Sequence, residues 1–237
     1  MNSNMTDGVK NLLIINGLFF LASIVYPEIN EYLTGYYFAS EQFRPWQIVT
    51  HMFMHADVMH IFFNMYALYM FGSSLENYWG TKRFLVYYFV SGLGAFALHM
   101  GINFLEIQKL LSDLSDAQIS EVVTNGLEVI NTGMGSGNVE MQKLNEALHV
   151  GVVGASGAVF GVLIGFGMLF PNTELSLLFP PITLKAKVFV MIYGAIELYM
   201  ALKQSSGDHV AHYAHLGGML FGYLLLKYWQ SRPPRWT

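Results

Sequence analysis

Apolar runs long enough to cross a bilayer recur along this chain, and no other feature constrains its fold as strongly. A helix needs about 20 mostly apolar residues to cross roughly 30 Å of hydrocarbon, because every backbone N–H and C=O must be satisfied without water. Six stretches approach that requirement, at 11–26, 58–75, 84–105, 150–170, 188–202 and 210–229, with Pro27 stopping the first and Pro171 the fourth. They imply an all-α, polytopic membrane helix bundle of six transmembrane helices, with residues 1–237 as a single membrane domain. Lys10 precedes the first run as in a signal peptide, but no A-x-A-like site follows, so an anchor is expected there. Composition agrees, since 54% of the 237 residues are apolar and 12% are charged, against about 25% charged in soluble domains. The net charge of −4 offers no field to gather phosphates, so nucleic acid is not expected as a partner. The absence of Cys excludes disulfide scaffolds, thiolate metal sites and cysteine nucleophiles.

Six crossings put both termini on one side. If that side is cytoplasmic it holds Lys10, Lys82, Arg83, Lys185, Lys187, Lys227, Arg232 and Arg235, leaving Arg44, Lys109, Lys143 and Lys203 outside, and this eight-to-four bias favours cytoplasmic termini. Residues 27–57 mix aromatic and charged groups and read as an interfacial outer loop. Residues 106–149 read as a long extracytoplasmic loop with one or two short amphipathic helices around the Gly-rich turn NTGMGSGN at 131–138. The lack of Cys and of a cleavable leader fits an integral protein of a bacterial inner membrane.

A polar side chain at membrane depth costs free energy unless it faces protein or water, so each such residue is a functional candidate. In the fourth run GASG (154–157) places Ser156 about two turns inside the outer end, and Gly157, Gly161 and Gly165 recur as a packing seam. The sixth run opens with His209, His212 and His215, at a depth where His215 matches Ser156, and Gly218 and Gly222 lie on the face of His215. If that Gly face meets the fourth helix, an imidazole reaches a hydroxyl, as activation of a serine requires. In the second run His60 and Asn64, one turn apart, offer N–H donors to a developing oxyanion, worth typically about 10²–10³ in rate. Taken singly, each of these has a plainer reading as helix packing or a satisfied core hydrogen bond. Their joint occurrence near the outer ends of three runs points to nucleophilic catalysis.

The segments HMFMHADVMHIFFNMYALYMFGSSLE (51–76), GASGAVFG (154–161) and AHLGGMLFG (214–222) resemble, in order and in the matching runs, the signatures of rhomboid intramembrane serine proteases. The resemblance covers roughly 10–104 and 150–230. It implies peptide-bond hydrolysis by a Ser–His dyad, with Ser156 as nucleophile, His215 as base and then acid, and His60, Asn64 and the backbone N–H of Ser156 holding the oxyanion. Gly154, Gly157 and Gly218 would support that geometry. Phe160 stands where family members often carry a Tyr stacked on the catalytic imidazole, keeping the ring and losing the hydroxyl. Trp46-Gln47, with Arg44 before it, stands where a Trp-Arg pair is often found, and the 106–149 segment is longer than that connection usually is.

No Asp or Glu lies at the depth of His215 in its own run, Asp208 being two turns above it, so the imidazole is expected to be held by packing, against Phe160. Substrates would be transmembrane proteins in membrane lipid; the residues leave the admitting edge open, and the resemblance implies the second and fifth helices as the gate and 203–209 as a cap; no cofactor and no metal is expected. The remaining histidines, at 51, 55, 99, 149, 209 and 212, read as interfacial or cavity-lining. Two other readings compete: a rhomboid-like protein that binds transmembrane helices without cutting them, and a His-rich, metal-dependent membrane oxidoreductase, motivated by His51/His55 and His209/His212/His215. No HH doublet and no HExxH helix supports the second.

Overall fold

The computed structural model describes residues 5–132, 138–176, 181–203 and 211–231. The cap segment beyond Lys203, including Asp208 and His209, the middle of the Gly-rich turn at 133–137, and Arg232 and Arg235 lie outside the described residues. Helices follow the apolar runs. The first is α1 (Asp7–Val25), after which α2 (Ile29–Leu33) and α3 (Gln47–Thr50) are short helices of the outer segment, closed by a 3₁₀ turn (His51–Phe53). Then α4 (Val58–Ala67) continues through a π-helical turn (Leu68–Gly72) into α5 (Ser73–Trp79). The rest are α6 (Thr81–Asp113), α7 (Asp116–Thr132), α8 (Val139–His149), α9 (Ser156–Leu169), α10 (Ala186–Lys203) and α11 (His212–Ser231). Among the described residues the only strands are β1 (Glu174–Ser176) and β2 (Thr183–Lys185), an antiparallel pair with Leu175 opposite Leu184.

By length and hydropathy α1 and α6 can each cross a membrane, whereas α9 is apolar but has 14 residues, about 21 Å of rise. The outer faces are apolar in the same sense. Leu18, Leu21 and Ile24 on α1 and Met191, Ile196, Tyr199 and Leu202 on α10 are all exposed, a surface that water does not tolerate over such an area and lipid does.

The centre is built by α6, α9 and α11. Gly157 and Gly161 of α9 lie against Gly218 and Gly222 of α11, close enough that a Cβ on Gly218 would overlap the carbonyl of Gly157 and one on Gly222 would stand 3.1 Å from the Cα of Gly161. On the other side Gly161 meets Ser91 of α6, and the Tyr87 hydroxyl donates to the Gly161 carbonyl at 2.9 Å. Beneath this seam Phe84, Tyr87, Val162, Phe166 and Leu226 are fully or almost fully buried. The first turn of α1 is tied into the bundle by Glu76 of α5, whose carboxylate accepts from the amides of Gly8 and Val9, both at 2.8 Å, and from the hydroxyls of Thr6 and Thr81. The four orphan amides of a helix start need such partners where water is scarce.

Two helix boundaries require correction. The third run does not end at 105: α6 continues to Asp113, and Ile107 and Leu110 carry it into a cluster with Val122 of α7 and Met141 and Leu144 of α8, the two helices that flank the Gly-rich turn as expected. More consequentially, 150–155 is not helical. Val152 exchanges backbone hydrogen bonds with Gly35 at 2.8 and 3.0 Å, the Gly154 amide donates to the His51 carbonyl at 2.9 Å, and Gly154 has φ +125°. These residues are committed to the outer segment and cannot also join a helix, so α9 begins at Ser156 itself. The serine is the first residue of its helix, not two turns inside it.

Candidate active site

Gly154 is the local cause of the geometry around Ser156. Its φ of +125° is strained for any residue with a Cβ, and it swings the extended 150–153 segment into α9 so that Ser156 stands at the helix start. There its amide has no intrahelical partner, and the helix macrodipole favours negative charge nearby. The hydroxyl of Ser156 and Nε2 of His215 are 2.9 Å apart. This pairing joins α9 to α11, 59 residues apart in sequence, and it is possible because the Gly157/Gly218 contact brings the backbones together one turn below.

His215 is buried, and three groups define the plane of its ring. Phe160, one turn after Ser156, stacks on it with centroids 4.2 Å apart and planes 13° from parallel. On the edge opposite the serine, Nδ1 lies 2.9 Å from Oε2 of Glu197, a buried carboxylate of α10. The same oxygen receives Nδ1 of His212 at 2.6 Å. The ligand-type atoms of Glu197, His212 and His215 all lie within 4.8 Å of one another, the one such cluster among the described residues.

His60 approaches from α4. Asp57 caps that helix by accepting from the His60 amide at 2.9 Å, and the ring is directed at Gly154: a Cβ there would stand 2.7 Å from His60 Nε2 and 3.4 Å from Ser156 Oγ. The Ala56 amide donates to His60 Nδ1 at 3.4 Å, which leaves Nε2 carrying the proton on the side of the serine. His55 packs edge-on against His60, with centroids 5.0 Å apart. Asn64 is buried one turn further along, but its amide donates to the His60 carbonyl at 2.9 Å, so one of its two N–H bonds serves its own helix.

With this arrangement in view, comparison with known proteins is decisive. The family model described as the Rhomboid domain matches residues 42–114 and 118–231. The chain belongs to the rhomboid family. Among curated rhomboid proteins it is 27% identical to Rhomboid-like protease 3 of Toxoplasma gondii, over 84% of this chain and 58% of that one. It is 24% identical to Rhomboid protease AarA of Providencia stuartii, over 76% and 54%. It is also 26% identical to Presenilin-associated rhomboid-like protein A, mitochondrial, of Danio rerio, over 98% and 52%. The chain thus spans about half the length of the curated relatives it matches. Rhomboid membership makes it a membrane-integral protein, in accord with its apolar outer faces, and sets aside the oxidoreductase reading.

In this rhomboid the structure brings together Ser156, His215, Phe160, Gly154, Gly157, Gly218 and His60, drawn from three segments of the sequence. It does not bring Asn64 to the serine by any direct hydrogen bond among the described residues, and the bond it does make is to its own helix. Sequence reasoning missed Glu197. The expectation that packing alone holds the imidazole is corrected by the carboxylate on α10, a helix whose run 188–202 carries no other charged residue. A charged group alone in an apolar run is a signal in itself. In a bundle the partner of an imidazole comes from a neighbouring helix, and no pattern within the helix of His215 records it. His51 lines the small cavity beside Ser156, within the expected interfacial or cavity-lining reading, and it is structural as well: it is buried, its Nδ1 lies 2.8 Å from the Gln47 carbonyl, and its own carbonyl holds Gly154.

Proposed function

We propose that this rhomboid is an intramembrane serine endopeptidase that hydrolyses peptide bonds in or near the transmembrane helices of other membrane proteins. The observation that carries the reading is the 2.9 Å contact between Ser156 Oγ and His215 Nε2 at the start of α9. Serine is a weak nucleophile at neutral pH, and a neutral imidazole of reference pKa about 6.5 within hydrogen-bond reach takes its proton as attack proceeds. His215 then returns that proton to the leaving amine. The acyl-enzyme on Ser156 is released by a water activated at the same imidazole. Charge developing on the carbonyl oxygen falls to the Ser156 amide at the helix start and to His60 Nε2–H, with the second N–H of Asn64 as the remaining donor of the set.

The chain would cross the membrane six times, through α1, the continuous α4–α5, α6, α9, α10 and α11, as one membrane domain. Both termini would be cytoplasmic, and the serine would open to the other side. Transmembrane substrates would arrive from surrounding lipid and unwind locally, since a helix hides its scissile bond in its own hydrogen bonds.

The test is incubation of the purified protein in liposomes with a single-span model substrate, comparing wild type with Ser156→Ala and His215→Ala. Cleavage by wild type and at least a 10³-fold loss in both variants is expected. Cleavage that survives both substitutions would overturn the dyad. Substrate that is retained by the protein yet never cut would replace the peptidase with a transmembrane-helix binding protein.

A further inference from the structure

Beneath the dyad lies a second layer. We propose that Glu197 is a positioning residue of this site, converting the Ser156–His215 pair into a Ser–His–Glu relay that runs from α9 through α11 to α10. The proposal rests on the peptidase reading. Its observation is that one carboxylate oxygen, Oε2, lies 2.9 Å from His215 Nδ1 while His215 Nε2 lies 2.9 Å from Ser156 Oγ, so the imidazole is bonded at both nitrogens.

A carboxylate only accepts, so a carboxylate at Nδ1 requires the proton there, and Nε2 is left with the lone pair that a general base needs. Packing against Phe160 fixes the plane of the ring but cannot distinguish the two tautomers. The hydrogen bond to Glu197 can. As the hydroxyl proton moves to Nε2 the ring becomes a cation, and a carboxylate already in contact stabilises it where water does not. Glu197 itself is held: His212 Nδ1 donates to the same oxygen at 2.6 Å, directing Oε2 between the two rings. Leaving a charge at this depth is expensive, and the cluster accounts for its being there. The titratable groups that face His215 are therefore Glu197 from α10, His212 from its own helix, His60 from α4 and His99 from α6, and only Glu197 among them is an acid.

The experiment compares wild type with Glu197→Gln, Glu197→Asp and Glu197→Ala in the liposome assay, with Ser156→Ala as the blank. Gln keeps size and an acceptor oxygen but no charge. Its expected effect is a fall in kcat of about 10²-fold with KM little changed, because the imidazolium has lost its counter-ion. Asp, one methylene shorter, restores part of the rate, and Ala falls below Gln. A Gln variant with wild-type kcat would overturn the proposal while leaving the dyad standing; loss of Ser156 dependence in the wild type would instead overturn the dyad. A readout needing no substrate is the ¹⁵N spectrum of histidine-labelled protein in micelles. Wild type is expected to carry the His215 proton at Nδ1, and Glu197→Ala to lose that preference. Identical tautomer populations in the two proteins refute the relay whatever the cleavage assay gives.

Discussion

Replacing Gly218 by Ala tests whether the seam between α9 and α11 sets the reactive distance. Gly218 lies three residues beyond His215 on the same face, and a Cβ there would overlap the backbone carbonyl of Gly157, the residue after Ser156. Backbone cannot rotate out of the way as a side-chain tip can. A carbon and a carbonyl oxygen do not ordinarily come closer than about 3.3 Å, so the helices must separate by more than about 1 Å one turn from the 2.9 Å Ser156–His215 contact. Overpacking of this kind costs about 1–3 kcal/mol, against which the better helix propensity of Ala returns at most about 1. Displacing a reacting pair by 1 Å can lower the rate about 10²-fold. The expected outcome is a lower denaturation midpoint in detergent and at least a 10²-fold loss of both substrate cleavage and Ser156 labelling by a fluorophosphonate. The control is Gly101→Ala on α6, where an added Cβ meets nothing within 4 Å, and stability should hold or rise by up to about 1 kcal/mol. Wild-type labelling in Gly218→Ala would refute the claim that this contact positions the dyad.

Two further outcomes follow from groups away from the serine. Glu76→Gln removes the charge from a carboxylate that receives two amides and two hydroxyls at the start of α1, and because hydrogen bonds to charged groups are worth about 1.5–3 kcal/mol each, a loss of about 2–3 kcal/mol is expected; an unchanged unfolding midpoint would contradict this. In the outer segment burial drives His51 down to about 4, and burial aided by the nearby His60 drives His55 down to about 4 as well. The fold therefore prefers both rings neutral, and their contribution is complete above pH about 6.5 and is lost as pH falls from there toward 4. At 1.36 kcal/mol per unit each histidine is worth up to about 3 kcal/mol, so denaturation midpoints at pH 7.5 and 4.5 should differ clearly, and His51→Gln should narrow the gap.

The helices were legible because each is an apolar run, and the seam because Gly157, Gly161, Gly218 and Gly222 recur at helical spacing. The starting point of α9 was not legible. Hydropathy runs unbroken through 150–155, and what removes those residues from the helix is a pairing of Val152 with Gly35 more than a hundred residues away, which no local period records. The π-helical turn at Leu68–Gly72 is hidden for the same reason, since its residues are as apolar as their neighbours. Glu197 was visible as an isolated charge, but its partners became known only when α10 was placed beside α11.

The short α9 also bears on how water reaches the proposed reaction. Its 14 residues rise about 21 Å, while the hydrocarbon is about 30 Å thick, so on the proposed topology, with Leu169 near the cytoplasmic boundary, the helix starts about 9 Å below the outer one. A full-length helix would have buried the serine amide in a hydrogen bond to the preceding turn. On that topology, ending the helix early leaves the amide unpaired at depth, and the gap above it is filled by 150–155, where Val152 and Gly154 are hydrogen-bonded to Gly35 and His51 of the outer segment. Non-helical backbone survives in a bilayer only where protein or a water-filled cavity receives it. The small cavity bordered by His51, Val153, Gly154, Ser156 and Ala214 lies at this position. On the peptidase reading, the same truncation that exposes an oxyanion donor also opens the way for the hydrolytic water. One change of backbone conformation at Gly154 serves both ends, and neither could be kept if α9 were extended by two turns.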